Sequence, residues 1–134
     1  LLNTYVFFVG WADREHLIRL YREADVFALA SDFEGMPNVV LEAMASSLAV
    51  VATRAPGTVE LVQEGQNGFL ISRDQLTRFD ESFLKLFQDR ALLKRMQIQS
   101  HQASLLYSWG ETAKGYQKLC ESVSVKKEET SVGI

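Results

Sequence analysis

An α/β fold is predicted for this sequence: a Rossmann-like parallel sheet of about four strands with helices on both faces, followed by C-terminal helices. Three observations predict it. Four short runs rich in β-branched and aromatic residues recur in the first half of the chain. The runs are almost continuously apolar, which is typical of strands buried on both faces of a parallel sheet. Each gap between them has room for one helix, the order of elements in a doubly wound fold.

The four predicted strands lie at 5–9, 25–30, 48–53 and 68–71. The segments between them begin like helices: Asp13 can cap the first, Pro37 suits the first turn of the second, and Gly57 opens the third. Because crossovers between parallel strands are right-handed, we expect these helices to cover both faces of the sheet. They are predicted over 14–22, 38–46 and 58–64.

The apolar pattern in the second half of the chain predicts helices and no strands. Apolar residues at spacings of three and four indicate helices over about 76–87, 91–107 and 109–123. Cys120 falls on the apolar side of the last of these helices and is predicted to be a buried thiol. The periodicity stops at residue 124, so we predict a domain over 1–123 and a flexible tail over 124–134.

Composition narrows the classes of function. The chain has 134 residues, of which 47% are apolar and 23% charged, with a formal net charge of −3. These values fit one ordinary globular domain, and the acidic balance offers no basic surface for nucleic acid. One cysteine and two histidines argue against a disulfide scaffold and against a metal site. We therefore expect no metal and no other cofactor.

The ends of the chain and its apolar runs bear on location. No apolar run approaches the roughly 20 residues that cross a bilayer, and the start does not read as a signal peptide. We expect a cytoplasmic protein, with peripheral membrane contact by a longer parent protein left open. The first residue is Leu1 and a strand-like run follows at once. We therefore expect a piece of a longer protein.

The junction at 30–45 carries the candidate chemistry, because a predicted strand ends there, a loop turns at Gly35, and a helix begins. Ligands of open parallel sheets bind at such carboxyl ends, and the N–H groups at a helix start favour phosphate. Glu34 before the helix and Glu42 within it repel phosphate but accept hydrogen bonds from vicinal hydroxyls. Hydroxyls, phosphates and hydroxyls in that order describe a nucleotide sugar.

The junction also carries a specific motif: a Gly-Met-Pro turn, a Glu-Ala-Met-Ala segment, and two glutamates in E-x7-E spacing. With the flanking strands, it resembles the C-terminal donor-binding domain of retaining GT-B glycosyltransferases of family 4. The similarity extends over about 6–71, with a weaker echo at 107–109. It implies that 1–123 is a partial nucleotide-sugar-binding domain from the C-terminal half of a GT-B fold.

The resemblance implies a role for each residue of the junction. Glu34 would lie near the hydroxyls of the donor sugar and is the catalytic candidate, and Glu42 would accept the ribose hydroxyls. In this family the diphosphate is usually stabilised by protein groups rather than by a metal. Backbone groups would line the sugar and the diphosphate, at Gly35, Met36, Pro37 (through its carbonyl), Asn38 and Val39.

The sequence departs from the family pattern in three places. Ser47 stands where glycine is common, and Ala49 where proline is common. The Arg and Lys that normally stabilise the leaving diphosphate have no matching segment in this chain. We therefore interpret the chain as the donor-binding portion of a retaining glycosyltransferase, inactive without the N-terminal acceptor domain. A non-catalytic module that binds a nucleotide sugar or a partner is the alternative.

Overall fold

The computed structural model describes the backbone of residues 5–130 and the side chains of residues 5–121. Within that range the centre is a three-stranded sheet in the order β1-β2-β3. Both strand pairings are parallel, so the three carboxyl ends lie at one edge of the sheet. The strands are β1 (Val26–Leu29), β2 (Ala49–Thr53) and β3 (Gly68–Ile71).

Six α-helices complete the described residues. Asp13 caps the first of them as predicted, because its side chain accepts a hydrogen bond from the His16 N–H at 2.8 Å. Short 3-10 turns precede the fourth and the sixth helix, at Arg73–Gln75 and Leu105–Tyr107. The helices are α1 (Arg14–Glu23), α2 (Asn38–Ala45), α3 (Thr58–Leu61), α4 (Arg78–Gln88), α5 (Arg90–Ser104) and α6 (Trp109–Thr130).

The sheet is covered on both faces, as predicted. Every side chain of β2 is buried, and successive residues point to opposite faces. Ala49 and Val51 belong to an apolar cluster with residues of α4 and α5. Val50 and Ala52 belong to a second cluster, with residues of α2 and α3. Helices α2 and α4 therefore lie on opposite sides of the sheet.

Helix α5 also closes the amino ends of the strands. The Gln97 amide nitrogen lies 3.2 Å from the carbonyl oxygen of Asp25, just before β1. His101 Nδ1 lies 3.0 Å from the carbonyl oxygen of Ala45, the last residue of α2. These contacts lie at the end of the sheet opposite the loop at 30–37 and the start of α2.

The predicted strand at 5–9 is wrong, because residues 5–9 do not pair with the sheet that the structure describes. Phe7 and Phe8 remain 73% and 85% exposed. A strand forms only where a neighbour takes its hydrogen bonds, and an apolar β-branched run alone does not supply one. The described sheet therefore has three strands rather than the predicted four.

Helix α3 is shorter than the predicted 58–64 because Asn67 takes over the hydrogen bonds that would continue it. Its side chain accepts from the Gln63 N–H at 2.7 Å and donates to the Leu61 carbonyl at 2.9 Å. The side chain of Glu64, the residue after Gln63, accepts a hydrogen bond from the Leu70 N–H of β3 at 2.6 Å. The helix therefore ends at Leu61, and the chain that follows it is held against β3.

Helix α6 differs from its prediction in two respects. Its backbone stays helical to Thr130, into the segment predicted as a tail, and residues 131–134 lie outside the described range. Cys120, predicted to be buried, is exposed, and Trp109 at the start of the helix is 91% exposed. The apolar side of α6 packs on little of the described chain.

None of the described helices has both the length and the apolar composition of a membrane-spanning segment.

Ser47 occupies the left-handed conformation that its place in the family pattern suggests. Helix α2 ends in a Schellman motif: the Leu48 N–H donates to the Ala43 carbonyl at 3.0 Å, and the Ser47 N–H to the Met44 carbonyl at 2.9 Å. The motif places Ser47 at φ 62, where a side chain is strained and glycine is not. The turn forms in spite of the serine.

We therefore expect Ser47→Gly to raise the free energy of unfolding by about 1 kcal/mol, since glycine removes the strain at positive φ. Urea unfolding measures the difference. The matched control is Ser46→Gly, one residue earlier at φ −84, which should lower stability by roughly 0.5–1 kcal/mol. A loss of stability in Ser47→Gly would contradict the conformation described for this turn.

Candidate functional site

The loop that follows β1 (residues 30–37) is tied to the end of β2. Thr53 is buried, and its hydroxyl accepts a hydrogen bond from the Ser31 N–H at 3.0 Å and donates to the Ser31 carbonyl. The buried hydroxyl of Thr58 lies 2.7 Å from the Thr53 carbonyl oxygen and accepts from the Ala55 N–H at 3.0 Å. The Thr53 hydroxyl therefore ties the loop after β1 to β2, and the Thr58 hydroxyl braces the loop after β2.

Gly57, between β2 and α3, lets these two loops touch. It lies at φ 87, and a Cβ added to it would be 2.7 Å from the carbonyl oxygen of Glu34 and 2.7 Å from that of Gly35. No side chain fits at those distances, so glycine is required here for both conformation and space. The loop that carries Glu34 rests on the Gly57 backbone.

The first turn of α2 follows this loop. Pro37 is the N-cap rather than a first-turn residue, with its ring buried, and its carbonyl accepts from the Val40 N–H at 2.9 Å. No side chain caps the helix start. The N–H groups of Asn38 and Val39 lie at the start of a helix, where no carbonyl of the helix can accept from them. They are available to a ligand, with the positive end of the helix dipole behind them.

The junction is open to solvent. Gly35 and Asn38 are exposed, Met36 is 50% exposed and Val39 is 39% exposed. A Cβ added to Gly35 would meet nothing within 4 Å, so the side of the Gly35 backbone that faces away from Gly57 is open. A ligand could therefore approach the main chain closely at this point.

The two acids of the junction have different surroundings. Glu34 is half-buried in the loop, while Glu42 is exposed on α2, roughly 7 Å along the helix axis from Pro37. The Tyr21 hydroxyl, on α1, lies 3.4 Å from Glu42 Oε2. Burial, reinforced by the neighbouring Glu42 carboxylate, raises the pKa of Tyr21 to about 12. Tyr21 is therefore a protonated hydrogen-bond donor at neutral pH.

An exposed ion pair crosses the carboxyl edge of the sheet. Asp32 in the loop after β1 lies 2.6 Å from Arg73 in the turn after β3. Exposed pairs of this kind contribute about 0–1 kcal/mol, so the pair adds little to the stability of the loop.

Among the described residues, no group of three or more His, Cys, Asp or Glu side chains is arranged to hold a metal ion. The expectation that donor binding needs no metal stays a prediction.

Sequence reasoning missed four residues that shape the junction. No role in the site is predicted from the sequence for Thr53, Thr58 or Tyr21, and Gly57 is predicted to open a helix. Tyr21, Thr53 and Gly57 contact α2 or the loop at 30–37 across 18 or more positions of sequence. The hydrogen bonds of the Thr58 hydroxyl lie within 53–58. No local signal in the sequence distinguishes these four residues from ordinary core positions.

Comparison with known proteins shows which family the chain belongs to. The sequence profile named Glycosyl transferases group 1 matches residues 1–89. A D-inositol 3-phosphate glycosyltransferase of Corynebacterium urealyticum is 34% identical over 115 residues, which are 86% of this chain and 27% of that protein. Two other curated relatives are matched over 24% and 34% of their lengths. The chain thus spans no more than about a third of these relatives.

Solved structures agree with the fold. The C-terminal domain of the glycosyl transferase group 1 family protein LpcC from Francisella tularensis superimposes with a TM-score of 0.65 at 29% identity, over 71% of this chain and 49% of that one. HepE of Anabaena, in a complex with UDP and glucose, superimposes with a TM-score of 0.70 at 22% identity, over 91% of this chain and 32% of that one. The fold is the GT-B Rossmann-like fold, and the chain belongs to the glycosyl transferases group 1 family.

Proposed function

We propose that this chain is the donor-binding portion of a retaining glycosyltransferase and that the junction at 30–45 holds a nucleotide-diphosphate sugar. The sugar lies at Glu34, the diphosphate at the start of α2, and the ribose at Glu42. Family membership supports the class of reaction. The observation that carries the proposal is the exposed, uncapped start of α2 beside a loop fixed by Gly57 and Thr53.

The chemistry of these groups suits each part of such a donor. The N–H groups of Asn38 and Val39 and the helix dipole stabilise negative charge, which grows on the diphosphate as the bond to the sugar breaks. The exposed backbone at Gly35 and Met36, with the Pro37 carbonyl, lines the path between sugar and phosphates. Carboxylates accept hydrogen bonds from hydroxyls on the sugar and on the ribose. No group in this scheme requires a metal.

A binding experiment with Glu42→Ala tests the proposal. The affinities of several nucleoside diphosphates and their sugar conjugates are measured for the wild type and the variant by NMR titration. Loss of the carboxylate acceptor is expected to weaken binding by about 1.5–3 kcal/mol, which is roughly 10- to 150-fold. An unchanged affinity would remove Glu42 from its proposed role.

Glu81→Ala is the matched control for charge. Glu81 is an exposed glutamate on α4, which lies on the other side of the sheet from α2. Among the described residues its side chain forms only an exposed ion pair with Arg78, at 3.6 Å. The variant loses the same charge and should bind the donor like the wild type. An equal loss of affinity in both variants would mean that net charge, rather than a site at Glu42, governs binding.

We further expect this chain to transfer little or no sugar by itself. The matched segment is 24–34% of the length of these relatives, and we propose that the acceptor domain and the basic phosphate-binding pair belong to the part not matched. Robust transfer to any acceptor by the 134-residue chain would contradict this proposal.

A further inference from the structure

Tyr21 is buried between α1 and α2, and its hydroxyl reaches Glu42. Its side chain is 8% exposed and packs beside the Phe27 ring, with 6.0 Å between the ring centroids and 54° between the planes. The hydroxyl oxygen is 3.4 Å from Glu42 Oε2 and 3.4 Å from the Val39 carbonyl oxygen. The ring is held by packing, so the hydroxyl has a fixed place beside the acid.

We propose that Tyr21 is a positioning residue for donor binding and that its hydroxyl orients the Glu42 carboxylate toward the ribose of the bound nucleotide. The inference rests on the proposed function, in which Glu42 accepts the ribose hydroxyls. Tyr21 itself touches no ligand and acts only through Glu42.

The reason lies in the freedom of an exposed glutamate. Such a side chain samples many rotamers, and binding has to order it at a cost in entropy. The contact with Tyr21 occupies Oε2, while Oε1 has no hydrogen-bond partner among the described residues. An open cleft of about 220 Å³ lies beside both residues, with Arg14, Ile18 and Ala45 among its walls. The carboxylate is therefore held on one side and free to accept hydroxyls on another.

The tyrosine remains a donor under all ordinary conditions. Burial and the adjacent Glu42 carboxylate raise the pKa of Tyr21 to about 12, so the phenol keeps its proton at neutral pH. The distances of 3.4 Å are long for a hydrogen bond between oxygens. We therefore expect an effect on orientation that is several-fold in affinity, smaller than the effect of removing Glu42.

The first test compares ribonucleoside with deoxyribonucleoside diphosphates of uracil, guanine and adenine, in the wild type, Tyr21→Phe and Glu42→Gln. We expect a ribose preference of about 10-fold in the wild type, about 3-fold in Tyr21→Phe, and near unity in Glu42→Gln. Because phenylalanine keeps the packed ring, the affinity of Tyr21→Phe for the deoxy form should equal that of the wild type. A purely structural role would weaken both forms alike.

Tyr107→Phe is the matched control for the first test. It loses a tyrosine hydroxyl that donates to the Glu60 carbonyl at 3.0 Å, away from Glu42, and should keep the wild-type ribose preference. If Tyr21→Phe keeps that preference while Glu42→Gln loses it, the positioning role is wrong and the proposed function stands. If Glu42→Gln keeps it as well, the ribose role of Glu42 fails and the positioning role fails with it.

The second test needs no ligand and reads the contact itself. Fluorotyrosine is incorporated into the chain, and the Tyr21 signal, assigned by its absence in Tyr21→Phe, is titrated by fluorine NMR. Glu42→Gln is expected to lower the pKa of that residue, because it removes a neighbouring negative charge. Identical titrations in the wild type and Glu42→Gln would show that the two side chains do not meet, which would overturn the inference whatever the binding data.

Discussion

Gly57→Ala is expected to lower the free energy of unfolding by about 2–5 kcal/mol and to weaken donor binding at the same time. The new Cβ would lie at positive φ, which costs roughly 1–2 kcal/mol. It would also overlap the carbonyl oxygens of Glu34 and Gly35, and relieving such overpacking costs about 1–3 kcal/mol more. Because the relief must come from moving the loop at 30–37, the donor site is distorted even in molecules that stay folded. Urea unfolding and NMR titration with a nucleoside diphosphate measure the two effects.

Gly65→Ala separates the two causes. Gly65 also has a positive φ, of 75°, but a Cβ added there meets nothing within 4 Å. This variant should therefore show only the cost of conformation, roughly 1–2 kcal/mol, and no loss of donor affinity. If Gly57→Ala were no more destabilising than Gly65→Ala, the close packing of the loop on Gly57 would be refuted.

Gly68→Ala is expected to be at least as damaging, with a loss of stability of about 3 kcal/mol or more. Gly68 begins β3 and lies opposite Val50 in β2, and an added Cβ would overlap the Val50 carbonyl oxygen and lie 3.0 Å from Val62 Cγ1. Two paired strands cannot keep their ladder around such a clash, so β3 must shift away from β2. Domains of this size are stable by only about 5–15 kcal/mol, so a loss of this size removes a large fraction of the free energy of unfolding.

Circular dichroism and urea unfolding measure the outcome for Gly68→Ala. Gly35→Ala is its control, since a Cβ at Gly35 meets nothing within 4 Å and should change stability by less than about 0.5 kcal/mol. A Gly68→Ala variant as stable as Gly35→Ala would contradict the close approach of β2 and β3 at this position.

The elements of the fold that could be predicted are those whose signals lie within a few residues of sequence. The predicted strands at 25–30, 48–53 and 68–71 contain the observed strands because each is a short, continuous apolar run that ends in a turn. Asp13 was recognisable as a cap because its role depends on residues three positions away. Local composition was enough for these elements.

The predictions were wrong where strand pairing or side-chain packing between residues distant in sequence determines the structure. The run at 5–9 is as apolar as the other predicted strands, but it has no neighbour in the described sheet. Cys120 lies on an apolar stripe of α6 that finds little of the described chain to pack against, so the thiol is exposed. Periodicity shows which side of a segment is apolar, not whether a partner is present to cover it.

The candidate site also has a part that could be predicted from the sequence and a part that could not. The loop, the helix start and the two glutamates could be located from the motif and the strand-to-helix order. The support beneath them could not, because the Thr53 hydroxyl, the backbone of Gly57 and the Tyr21 ring meet them only after folding. These supporting residues are distant in sequence, and nothing in their local pattern distinguishes them from ordinary core positions.

The most direct measurement is a map of backbone amide shifts in the 134-residue chain during titration with a nucleotide-diphosphate sugar. The largest changes are expected on Gly35, Met36, Asn38 and Val39, with small changes across α4 on the opposite face of the sheet. Changes that avoid the start of α2, or that cluster at the amino ends of the strands near Asp25 and Gln97, would contradict the proposed donor site.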